Sequence, residues 1–127
     1  MPSEKRKFGD TGEDLAQDFL IKRGYKIIER NYRVKNIGEI DIVCEKKGKL
    51  FFIEVKTRNV KRQTNFPIEY SINDKKRSNL KKICNIYITD KHCFTKDWQV
   101  DAIFIKIDEI GNYSIDHLEN ILWEEYY

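Results

Sequence analysis

Asp41, Glu54 and Lys56 are the residues of this chain best placed to do chemistry together. Lys47-Gly48 is a turn signal between two stretches rich in β-formers, 39–44 and 50–57. A two-residue loop there sets Lys46 opposite Lys49, and the same register sets Asp41 opposite Glu54. Directly opposed residues on one sheet face have Cβ atoms about 4.5–5.5 Å apart, and like charges so placed repel. Lys56, two residues beyond Glu54, falls on that face about 7 Å along the strand. Either of two arrangements offsets the repulsion. One is a divalent cation, since hard cations take carboxylate oxygens. The other is a structural charge cluster closed by Lys56. Two carboxylates and a lysine converging on one point can hold Mg²⁺, polarise a phosphate and position a water. The lysine can orient that water, help deprotonate it, or neutralise charge building on the phosphate. Glu-x-Lys by itself arises often by chance. The three residues together are the informative set.

The charge distribution suits an anionic partner. Residues 46–82 carry twelve Lys/Arg against three acids, Glu54, Glu69 and Asp74, although the whole chain is only +3. The last twenty residues hold six acids and no Lys or Arg. A basic middle between acidic flanks suggests a surface facing a polyanion, or simply a solvated charged face. The 127 residues fit one domain, 1–127, with a core over about 8–107 and an acidic tail over 108–127. A hydrophobic fraction of 40% and two prolines argue against a disordered chain. No apolar run approaches the ~18 residues of a membrane span. Met1–Lys7 is charged and no apolar stretch follows it. Cys44, Cys84 and Cys93 are odd in number and lack CxxC spacing, against a disulfide framework or a zinc site. A cytoplasmic setting is the expectation.

The elements that must position these residues follow from periodicity. Asp10-x-x-Glu13 has capping-box spacing and predicts a helix over about 11–23, with Leu15, Ala16, Phe19 and Leu20 as its apolar stripe and Gly24 at its end. Tyr25–Arg33, Glu39–Cys44 and Leu50–Thr57 read as strands. The second has Ile40, Ile42 and Cys44 on one face and Glu39, Asp41 and Val43 on the other. Arg58–Asn73 reads as a long polar loop, a length usually tied to function. Asp74–Thr89 reads as a helix capped by Asn73 or Asp74, with Leu80, Ile83, Cys84, Tyr87 and Ile88 inward. Trp98–Ile107 is apolar on both faces, as a central strand is, with Asp101 as the exception. A short edge strand over 111–116 and a terminal helix around Leu118, Ile121 and Leu122 complete the expectation. The order α-β-β-β-α-β implies an α/β domain, a central mixed sheet flanked by helices.

Several blocks together resemble a known family. They are Gly12-Glu13-Asp14-Leu15-Ala16, Gly24-Tyr25, Arg30-Asn31-Tyr32-Arg33, Gly38-Glu39-Ile40-Asp41-Ile42-Val43 and Phe52-Ile53-Glu54-Val55-Lys56-Thr57-Arg58. Lys76-Arg77 with Leu80, and Val100-Asp101-Ala102-Ile103, resemble two later blocks. The pattern is similar to the YraN-like uncharacterised bacterial family over about 8–107. Trp98-Gln99 departs from it where the family often has an Arg-Phe pair. The resemblance implies the restriction-endonuclease-like fold of PD-(D/E)XK nucleases, nearest the Holliday junction resolvases. It also implies Asp41 and Glu54 as metal ligands, Lys56 as the catalytic lysine, Glu13 as a third acid at the metal, and Mg²⁺ or Mn²⁺ as cofactor.

Each remaining candidate has a structural reading as well. Glu13 also fits the capping box, and Glu39 also fits a solvated acid at a strand start. Asp101 reads first as a buried, paired acid. Arg58, Lys61 and Arg62, with Lys75, Lys76, Arg77 and Lys81 on the second helix, are expected to meet nucleic-acid phosphates without sequence preference. Thr57 can add a phosphate contact. His92 reads as a loop residue, and His117 shows no partner in sequence. The partners expected are DNA and, because a symmetric junction needs two cuts, a second copy of the chain; no membrane is expected. Three functions stay open: a metal-dependent nuclease acting on branched or single-stranded DNA, a non-catalytic nucleic-acid-binding module on the same fold, and an interaction subunit using the acidic tail.

Overall fold

The computed structural model describes residues 4–59 and 73–122. Seven elements follow in the order α1 (Glu4–Lys22), β1 (Lys26–Val34), β2 (Gly38–Lys46), β3 (Lys49–Asn59), α2 (Asp74–Asp90), β4 (Trp98–Ile107) and β5 (Tyr113–Leu118). The strands form one mixed sheet in the order β1-β2-β3-β4-β5. Pairing is antiparallel except between β3 and β4, which run parallel. Antiparallel neighbours can be joined by tight turns, whereas a parallel pair needs a crossover. Here the crossover contains α2. This mixed sheet with its two helices agrees with a restriction-endonuclease-like architecture.

The side-chain period of two divides the core between the two faces. Leu50, Phe52, Val100, Ala102 and Phe104 pack with Leu80, Ile83, Cys84, Tyr87 and Ile88 of α2. Phe51, Ile53, Ile103 and Ile105 pack with Ala16 and Leu20 of α1. All five expected inward residues of α2 are buried, and Asn73 caps the helix by accepting from the Lys76 N–H at 2.9 Å. Gly24, at φ 90°, ends the helical path of α1 in a Schellman arrangement. Its N–H reaches Ile21 O and the Tyr25 N–H reaches Leu20 O.

Four local expectations change. α1 begins at Glu4, so Asp10 lies inside the helix and Glu13 is no capping residue. The first turns are too polar to show an apolar stripe, which hides the true start. β2 is not regular. Ile42 and Cys44 face α1, while Ile40 joins Val43 on the α2 side. The change of face falls at Asp41, opposite Asn31, whose φ of 56° breaks the extended path of β1. β3 continues to Asn59, so Arg58 is a strand residue paired with Lys106 rather than a loop residue. The last apolar residues form no helix within the described chain. Leu118 ends β5, which spans Tyr113–Leu118 rather than 111–116. Ile121 is buried in a turn whose N–H bonds Val100 O at 2.8 Å.

Candidate metal centre

The hairpin register is the expected one. Lys46 pairs with Lys49, and the ladder runs on to Ile42 opposite Ile53. At the next step the strands part, and the Asp41 side chain fills the opening. Its Oδ2 accepts from the Val55 N–H at 2.7 Å. A carboxylate therefore stands where a backbone carbonyl would continue the ladder, which fixes Asp41 beside Glu54 at the end of the paired region.

Glu13 comes from α1. Gly12 makes the approach possible, because a Cβ at that position would overlap Thr57 Oγ1. Without a side chain there, α1 lies directly on the end of β3, and Glu13 is carried in next to the strand carboxylates. Thr57, which the sequence offers as an additional phosphate contact, packs against α1 at Gly12.

Glu13, Asp41 and Glu54 are all buried. Burial and neighbouring acids disfavour the charged forms of Asp41 and Glu54. The Asp41 carboxyl is pushed up to about 8, first by burial and then by Glu54; the Val55 N–H opposes the shift, and Glu13 and Glu39 add to it. Glu54 is also raised by burial, against the pull of the Lys76 and Lys56 ammonium groups, with Glu39 adding to the rise. Lys76 Nζ lies 3.1 Å from Glu54 Oε1, and Lys56 Nζ lies 3.9 Å from the same oxygen. Glu54 Oε2 is buried and makes no hydrogen bond among the described residues. Glu39 acts on the cluster through its charge while its carboxylate pairs with Arg33 at 3.0 Å.

An all-oxygen donor set with an unused buried lone pair fits a hard divalent cation. Glu13, Asp41 and Glu54 are the residues that would hold it, although their carboxylate oxygens are not gathered within 4.8 Å of one another as the potential ligand atoms of Asp101, His117 and Glu119 are. The sequence singled out these three and Lys56, and the structure brings them together. It adds Lys76, expected only as a phosphate contact on the outer helix. No linear signal marks that role, because the first turn of α2 reaches β3 only through the fold. Lys75 and Lys81 are exposed, and Arg77 donates through Nε to Ile121 O at 3.1 Å. Lys61 and Arg62 lie outside the described residues.

A second polar cluster lies across the sheet. Asp101 is fully buried; its Oδ1 accepts from Gln99 Nε2 at 2.7 Å and from the Asn120 N–H at 2.9 Å. Its Oδ2 bonds His117 Nε2 at 2.8 Å. Asp101 is thus a paired acid, as expected. His117 finds its partner through the β4–β5 register, which sequence did not resolve. Glu119 is near enough to offer a third ligand atom. Through these bonds Asp101 ties His117 of β5 and the Asn120 N–H that follows it to β4. His92 is exposed after α2 and belongs to no group of potential metal ligands among the described residues.

Fold and site together define an α/β domain with a buried carboxylate cluster where α1, β2 and β3 meet. The model of the Uncharacterised protein family UPF0102 matches residues 12–105, and the chain belongs to this family, the YraN-like one. It is 39% identical over 116 residues to a UPF0102 protein of Syntrophomonas wolfei, covering 91% of this chain and 96% of that one. It is 41% identical over 107 residues to a UPF0102 protein of Dictyoglomus thermophilum, covering 84% and 87%. Among solved structures it is similar to Pyrococcus furiosus SfsA in complex with Ca²⁺, at TM-score 0.42 and 14% identity. That match covers 91% of this chain and 63% of SfsA.

Proposed function

We propose that this chain is a metal-dependent nuclease that hydrolyses DNA phosphodiester bonds, with branched and single-stranded DNA as the substrates to test. The observation that supports this most directly is the buried Asp41 carboxyl, whose proton affinity is raised by burial and by the neighbouring Glu54 and Glu13 carboxylates, with two lysines on Glu54. A fold does not keep such a cluster for stability, because mutually repelling buried charges cost free energy unless a partner compensates them.

Mg²⁺ or Mn²⁺ at these carboxylates would supply charge neutralisation for the phosphate and a lowered pKa for water. The chain's own groups do the rest. Asp41 is held through Oδ2 by the Val55 N–H, and Oδ1 is the oxygen it would offer the cation. Lys56, half-buried beside Glu54, can orient a water or balance charge building on the phosphate. Lys75 and Lys81 present exposed charge on the α2 surface for the backbone of the nucleic acid. The test is cleavage of branched and single-stranded DNA with Mn²⁺. Asp41→Ala and Glu54→Ala are expected to lower the rate by at least about 10²-fold with the fold intact. Full activity of folded Glu54→Ala refutes the assignment.

A further inference from the structure

The ion pair between α2 and β3 places a residue in the site that the hairpin alone does not explain. Lys76 stands in the first turn of α2, and the Asn73 cap fixes its backbone N–H. Its ammonium is closer to Glu54 Oε1 than that of Lys56, 3.1 Å against 3.9 Å. Glu54 is nearly solvent-free, whereas the Lys76 side chain is 37% exposed. The lysine therefore reaches in from the solvent side, along the direction from which an anion would come. A cation at Glu54 Oε2 and the Lys76 ammonium at Oε1 share one carboxylate and repel each other. The four-carbon stem of lysine lets the ammonium move off without moving the helix.

We propose that Lys76 is a second active-site lysine. It holds Glu54 in the cation-free protein, cedes the carboxylate to the divalent cation, and then binds a non-bridging phosphate oxygen of the substrate. This rests on the metal-dependent reading of the site. A fixed structural counter-ion would behave differently, because it would neither oppose the cation nor follow it to the phosphate.

The experiment is calorimetric titration of Mn²⁺ at pH 8.0 into the wild type, Asp41→Ala, Lys76→Gln and Lys76→Arg. Glutamine keeps an N–H donor for Glu54 and removes the charge. Mn²⁺ is expected to bind Lys76→Gln about fivefold more tightly than wild type, the scale of one half-exposed ion pair. Arginine grips a carboxylate through a fork, so Lys76→Arg is expected to bind Mn²⁺ about threefold more weakly. In Ca²⁺, Lys76→Gln should bind single-stranded DNA about fivefold more weakly than wild type, and in EDTA equally well. Loss of Mn²⁺ binding in Asp41→Ala, with unchanged affinity in Lys76→Gln, overturns the role of Lys76 alone. Mn²⁺ binding undiminished in Asp41→Ala overturns the metal site and the inference with it. If Lys76→Gln does not fold, unchanged Mn²⁺ affinity in Lys76→Arg overturns the inference by itself.

Discussion

Asp41 carries an electrostatic load whose consequences can be measured without any substrate. Its carboxyl titrates at about 8 in the folded protein against 3.8 in an unperturbed chain. The folded state therefore holds a proton that the unfolded state releases, and stability is lost as pH rises from about 4 through about 8. Wild-type protein without metal should melt at a lower temperature at pH 9 than at pH 5. Asp41→Asn keeps an acceptor for the Val55 N–H and removes the charge. It should stabilise the metal-free protein by roughly 1–3 kcal/mol at pH 9 and flatten the pH profile. Parallel melting profiles for the two proteins would rule this out. Mn²⁺ should raise the wild-type melting temperature more at pH 8 than at pH 6, where it competes with the proton, and should do little for Asp41→Asn. At this scale the sequence was informative where chemistry is local. Asp41 opposite Glu54 follows from one turn and the strand period of two. Lys76 at Glu54 and His117 at Asp101 depend on tertiary register, and nothing in their own neighbourhoods marks the pairing.

The elements position the site through two departures from regularity. One is the contact between Gly12 in α1 and Thr57 in β3, where even a methyl group has no room. Gly12→Ala should cost roughly 2–4 kcal/mol in urea denaturation, through overpacking against a strand that cannot retreat. Thr57→Ala should recover part of that loss, and additive effects in the double mutant would argue against direct contact. The same Gly12→Ala change should weaken Mn²⁺ binding by pushing Glu13 away. The other departure is the face change at Asp41 in β2, set against the positive φ of Asn31. Asn31→Gly should be tolerated, whereas Asn31→Val should destabilise the fold by roughly 1–3 kcal/mol, because a β-branched residue resists this backbone conformation. Strands and helices were legible from apolar pattern, since α2 shows a clean stripe and β4 a continuous apolar run. The start of α1 and the irregularity of β2 were not, because a polar first turn carries no stripe and the change of face at Asp41 inverts the alternation on which the reading depends.

Across the whole molecule the exposed lysines of α2 form a charged surface beside the carboxylate cluster. Neutralising Lys75 and Lys81 together should weaken DNA binding alike for all sequences. It should also lower the slope of log affinity against log salt by about 0.7 per lost contact on single strands. An unchanged slope would place the nucleic acid elsewhere. No helix among the described residues is long and apolar enough to cross a membrane. The sheet connectivity also has a kinetic consequence. β1, β2 and β3 are joined by short turns, so their contacts close early at little entropic cost. The β3–β4 pair joins Leu50 to Trp98 and must wait for the crossover that brings α2. Asp41 and Glu54 thus meet in the hairpin before Lys76 arrives to offset their charge. Refolding above pH 8 should be slow, and Mn²⁺ or the Asp41→Asn change should accelerate it, leaving a site whose repulsion is felt first as a barrier on the way to the native state.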